Sequence, residues 1–167
     1  DHHQPLLNLT DLSILSESCE LECKLAAGRD GKGELPKDFW LSYSALANTS
    51  GGVVLLGVKE KKGVFSLNSI EKPELILKDL FDTANNPSKV SICLLNNEDV
   101  SVIEIDGHTI IQINIPRATR QQRPVYLKGN PLGNTFIRRH EADHTLPDDQ
   151  VKLMLSEQQH DSLDDTL

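Results

Sequence analysis

The chain has 167 residues, 38% of them hydrophobic and 25% charged, the make-up of a globular domain that buries about 70% of its unfolded surface. Its longest apolar runs, such as residues 53–58, are only strand-length, which excludes a membrane span, and His2, His3 and Asp11 stand where a secretory leader needs basic and then apolar residues. Cys19, Cys23 and Cys93 are an odd count at spacings suited neither to a disulfide framework nor to zinc, so they read as reduced thiols of a cytoplasmic protein.

Residues 6–15 read as a short lead-in helix. Residues 17–26 alternate, with Cys19, Leu21, Cys23 and Leu25 inward and Glu20, Glu22 and Lys24 outward, the pattern of a half-buried strand. A glycine-rich loop at 28–33 precedes a helix over 34–48, with Pro36 near its first turn and Phe39, Tyr43, Leu46 and Ala47 on its apolar face beside Trp40. Gly51-Gly52 ends that helix, and the continuous apolar run 53–58 suits a central strand covered on both faces. A polar turn at 59–63 leads to a strand at 64–67, and 72–84 is an amphipathic helix through Leu75, Ile76, Leu80 and Phe81, stopped by Asn85-Asn86-Pro87.

Strands are expected at 90–95, 100–105 and 109–115, the last two joined by the hairpin signal Asp106-Gly107. A loop over 116–124 leads into 125–128, then a turn at 129–134 and a strand at 135–139. Residues 146–157 form a final helix with Asp148 and Asp149 near its positive end. Residues 158–167 read as an acidic disordered tail. The sum is an α+β fold, a mixed, mostly antiparallel sheet packed with helices. Its organisation is a lead-in at 1–14, one domain at 15–157 and the tail.

Charge is unevenly spread. The chain carries 17 Lys+Arg against 25 Asp+Glu, a net of −8, yet residues 107–140 contain no acid and six cations: Arg117, Arg120, Arg123, Lys128, Arg138 and Arg139. Everything outside that window nets −14. Solubility does not require such an asymmetry, because an acidic surface already supplies it. A window facing a polyanion does, and nucleic-acid phosphate is the first candidate. Tyr126 and Phe136 are the only aromatics interleaved, so phosphate contact outranks base stacking. Phosphate binding of this kind needs no cofactor.

A second constellation is Glu17, Glu22, Lys24 and Glu60. Carboxylates converging beside a lysine suit a phosphodiesterase in which Mg²⁺ or Mn²⁺ activates water. Against it, a solvated strand face with paired charges needs no chemistry, and the odd spacing from Glu17 to Glu22 puts them on opposite faces unless the strand begins after Glu17. Gly51-Gly52 and the loop 28–33 match neither a P-loop nor a dinucleotide fingerprint, and read as tight turns. His108, His140 and His144 have no nucleophile pattern around them.

In order, Glu17-Ser18-Cys19-Glu20-Leu21-Glu22-Cys23-Lys24, then Ala45-Leu46-Ala47-Asn48-Thr49-Ser50-Gly51-Gly52 with the apolar strand ending in Gly57-Val58, resemble the Schlafen-type Alba-like domain. Arg123-Pro124-Val125-Tyr126 and Thr135-Phe136-Ile137-Arg138 resemble its closing strands. The resemblance implies a nucleic-acid-binding module, as found at the N-terminus of bacterial transcriptional regulators and followed there by a further C-terminal domain. It also implies, by analogy with animal ribonucleases, an acidic triad at Glu17, Glu22 and Glu60 in a clamp that one copy forms only by dimerising. Cys23 replaces the family's aromatic, Leu46 its Phe, and Glu60 is longer than its Asp. The leading expectation is a DNA-binding domain of a transcriptional regulator. The alternatives are a metal-dependent endoribonuclease and a protein-interaction or dimerisation module.

Overall fold

The apolar run after the glycine pair becomes strand β2 (Gly52–Leu56), and its neighbours explain why it is apolar on both faces. A computed structural model describes residues 8–31 and 33–165, with side chains through residue 159. β1 (Leu21–Lys24) pairs parallel to β2, with Leu21 opposite Val53 and Lys24 opposite Leu56. β5 (Val100–Ile105) pairs antiparallel with β6 (His108–Ile115), and the four-stranded order is β1-β2-β6-β5. Two antiparallel hairpins accompany it, β3 (Val58–Lys61) with β4 (Val64–Leu67) and β7 (Phe136–Arg139) with β8 (Ala142–Thr145). The sheet is therefore mixed and mostly antiparallel, and the fold is α+β.

The chain divides into two compact units. The first comprises Asp1–Pro36, Val53–Leu80 and Asn96–Asn114. Its helix α1 (Leu9–Ser18) starts from a reciprocal cap: Asn8 Oδ1 accepts the Asp11 N–H, and Asp11 Oδ2 accepts the Asn8 N–H. Leu12 and Leu15, three apart on one face, pack with Val53, Leu55, Val58, Ile105 and Ile110. Each such buried aliphatic contributes about 1.5–3 kcal/mol. Cys19, Leu21 and Cys23 join this core as expected, but Leu25 is exposed. Helix α3 (Pro73–Ala84) begins on proline with Glu74 in its first turn, both suited to a helix start.

The second unit comprises Lys37–Gly52, Phe81–Leu95 and Ile115–Leu167. Its centre is α2 (Phe39–Ala47), which buries Phe39, Tyr43, Leu46 and Ala47. Trp40 packs edge-on against Phe39 and Tyr43, with ring centroids 4.8 and 5.2 Å away. Helix α4 (Asp148–Asp165) closes a small core of Ile137, Leu146 and Val151, with Met154 and Leu155 against it.

Several expected elements differ. The lead-in helix ends at Ser18, not at residue 15, so Glu17 is helical and the strand starts at Leu21. α2 starts at Phe39, not at 34, because the residue before Pro36 disfavours helix and the amides of Gly33 and Glu34 bond back to Ala27 and Ala26. Residues 90–95 form no strand beyond a bridge from Val90 to Leu127, since the Tyr43 hydroxyl donates to Ile92 O at 2.7 Å and accepts from Leu94 N at 2.9 Å. Residues 158–165 continue α4, because extending a helix already nucleated on packed Val151 and Leu155 is cheap. Residues 1–7 of the lead-in and 166–167 of the tail lie outside the described residues.

Candidate nucleic-acid interface

α2 ends in Asn48-Thr49-Ser50-Gly51, and this end organises the basic window. Asn48, 4% exposed, accepts the Val125 N–H on Oδ1 at 2.8 Å and donates through Nδ2 to Val125 O at 2.9 Å and Phe136 O at 3.0 Å. One turn earlier, Ser44 Oγ donates to Val125 O at 2.7 Å and accepts the Phe136 N–H at 3.1 Å. Thr49 Oγ1 accepts the Arg138 N–H at 2.9 Å while donating to Ala45 O. Ala118 N donates to Ala47 O at 2.8 Å. Gly51, at φ +71°, approaches so closely that a Cβ there would lie 2.8 Å from Ile115 O and 2.9 Å from Arg117 N.

The loop over 116–124 is thus fastened at both ends to one helix terminus. Between its ends Thr119 and Gln122 bond reciprocally, and Arg123-Pro124 is cis. Arg117 and Arg120 are exposed and Arg123 half-exposed; Lys128 and Arg139 are exposed. Arg138 differs. Its side chain is 5% exposed and its Nη1 lies 3.0 Å from Asp143 Oδ1, whose Oδ2 accepts from Ser42 Oγ at 2.9 Å. Strand alternation explains the split, since Arg138 and Arg139 point to opposite faces of β7.

The members of the acidic constellation come from three different elements. Glu17 sits on α1, exposed, while Glu22 is on β1 and Glu60 on β3. Glu22 and Lys24 share a strand face as expected, 3.9 Å apart, but that face is not solvated: Lys24's side chain is only 8% exposed. The reason is their register neighbours, Val54 and Leu56, both fully buried. Burial first, then the charges of Glu60 and Glu22, push the Cys23 thiol up to about 12. Among the described residues no three His, Cys, Asp or Glu side chains form a group able to hold a metal ion. The donor set does not fit Mg²⁺ or Mn²⁺, which need several oxygens on one ion.

The family described as Schlafen, AlbA_2 matches residues 17–147, most of the chain. The chain belongs to the Schlafen, AlbA_2 family. Its fold is similar to the N-terminal domain of a Nitrosomonas europaea protein named as RecG-related, at 24% identity and TM-score 0.58, over 78% of this chain and 84% of that one. It is also similar to the DIP2311 protein from Corynebacterium diphtheriae, at 18% identity and TM-score 0.52, over 78% of this chain but only 22% of that one. No curated protein gives a match. As an AlbA_2 domain, the chain shows what the Ala-Asn-Thr segment before the glycine pair does here: Asn48 and Thr49 fasten the basic loop and β7.

Sequence reasoning missed Ser44, Asn48, Thr49 and Asp143 as the residues that fasten the basic loop and β7. Ser44 and Asn48, four apart in an otherwise apolar helix end, were the available signal, because buried polar side chains need partners. Among the described residues no helix is long and apolar enough to cross a membrane.

Proposed function

We propose that this AlbA_2 domain binds nucleic acid, DNA foremost, as one module of a longer cytoplasmic transcriptional regulator. One observation carries the reading: within the acid-free stretch, Arg117, Arg120, Arg123, Lys128 and Arg139 all reach solvent, whereas Arg138 is buried against Asp143. Arg117, Arg120 and Arg123 follow the phosphate backbone from the fastened loop, with Lys128 and Arg139 extending the contact. Two facts support a place in a larger chain. A domain of this fold is the N-terminal part of the Nitrosomonas protein, whose name relates it to an ATP-dependent DNA helicase, and the matched region is 22% of the Corynebacterium protein. A homodimer doubles the phosphate contacts available to one duplex.

Five phosphate contacts give a salt slope of about −4.5 in log K against log salt on duplex DNA. Replacing Arg117, Arg120 and Arg123 by Ala is expected to bring the slope to about −2 and to weaken low-salt binding severalfold. Fluorescence anisotropy of a labelled duplex over a salt series measures both. An unchanged slope and affinity reject the assignment.

A further inference from the structure

The acid-free window acquires a partner from elsewhere in the chain. Val90 and Leu127 form an antiparallel bridge, framed by Lys128 N donating to Lys89 O at 3.0 Å and Ser91 N donating to Tyr126 O at 2.9 Å. These bonds set Lys89 opposite Lys128 and Ser91 opposite Tyr126. Val90 and Leu127 turn inward, 1% and 8% exposed, and leave Lys89 and Lys128 at the turns on either side of the bridge. Both lysines are exposed and Tyr126 is half-buried.

Like charges directly opposed across an antiparallel pair repel, and a protein ordinarily relieves them with a nearby carboxylate. Among the described residues neither lysine has one within ion-pair distance. Lys128 also adopts φ +61° beside Gly129 at +72°, with Asn130 N reaching Leu127 O, so it occupies the first central position of a tight turn usually taken by Asn, Asp or Gly. A side chain held in a disfavoured backbone region, facing a like charge, points to a ligand that needs it there.

We propose that Lys89 and Lys128 form a two-lysine seat for the phosphodiester backbone of nucleic acid, with the ring of Tyr126 beside it as a platform for a base. This rests on the nucleic-acid reading above and adds to it a residue 18 positions outside the acid-free window. An ammonium pair closes on a diester oxygen from two sides, and no acid between residues 107 and 140 competes with it.

The test is a salt titration of the 167-residue chain against a labelled DNA duplex and the corresponding single strand, using Lys89→Ala, Lys89→Arg and Lys89→Ala/Lys128→Ala, with thermal melting as a fold control. Lys89→Ala is expected to weaken duplex binding severalfold and to flatten the salt slope by about one, the double variant by about two, with Lys89→Arg restoring it. Tyr126→Ala is expected to weaken the single strand about tenfold or more, and the duplex less. If Lys89→Ala matches the parent while the triple arginine variant loses affinity, the lysine seat falls and the nucleic-acid reading stands. If the parent shows no salt-dependent binding to either probe, both fall.

Discussion

Asn48 holds Val125 by both of its backbone groups, accepting from the N–H at 2.8 Å and donating to the carbonyl at 2.9 Å. A side-chain amide is the one short group with an acceptor and a donor side by side, which is what this double grip needs. Asn48→Asp replaces the donor with a second acceptor facing two carbonyls. That variant is expected to lose about 3 kcal/mol, and Asn48→Ala about 2 kcal/mol through the Val125 groups left unsatisfied. Urea unfolding measures both, and a loss below about 0.5 kcal/mol in each, the surface range, refutes the role.

Arg138 and Asp143 form a sequestered pair. Asp143→Ala leaves a guanidinium buried without its carboxylate and is expected to cost about 3–5 kcal/mol, whereas Arg138→Met with Asp143→Leu, which removes both charges and strips only the Ser42 hydroxyl of its acceptor, is expected to cost about 1–2 kcal/mol. The double variant should also leave the salt slope of DNA binding unchanged, because Arg138 is not at the surface. A slope flattened by about one would return Arg138 to the phosphate contact.

The β7–β8 hairpin turns through His140 at φ +51° and Glu141 at φ +63°. Two successive left-handed residues make a turn suited to Asn-Gly, and a side chain there costs about 1 kcal/mol or more. His140→Asn with Glu141→Gly is expected to stabilise the chain by about 1 kcal/mol, a rise of about 2–4 °C in Tm for a chain of this size. A fall in Tm contradicts the strain argument.

Alkali should weaken the fold. Burial holds the Cys23 thiol up at about 12 against an ordinary 9.0, and burial likewise raises the Tyr43 hydroxyl. The unfolded chain releases these protons first, so their contribution is intact below about pH 9 and is lost as pH climbs towards 12. Urea midpoints are expected to fall over that window, less steeply in Cys23→Ala. At pH 8 a thiol reagent should meet about 10³-fold less Cys23 thiolate in the folded chain than in urea. Equal labelling rates refute the burial.

Much of the first unit was legible because its code is local. Continuous apolarity marked β2, and Asp106-Gly107 marked the β5–β6 hairpin. The second unit was less so. β8 escaped because its turn is His140-Glu141, which lacks the glycine signal, and the expected strand over 90–95 gave way to a tertiary contact, the Tyr43 hydroxyl, that no local pattern encodes. The surface cations could be read from charge alone, but not Arg138's capture by Asp143 five residues on. The face of Glu22 and Lys24 was misjudged because polar alternation predicts solvent only when nothing covers the strand, and Val54 and Leu56 show that something does.

The attachment of the arginine loop has an evolutionary corollary. Its anchors are main-chain atoms of residues 118 and 125, bonded by Ala47 and Asn48, while Gly51 leaves room for residues 115–117 to pass close by. Identity of the side chains at 117, 120 and 123 does not enter that grip. Substitution at those positions would therefore change the charge the loop presents while leaving its main-chain bonds to the scaffold in place.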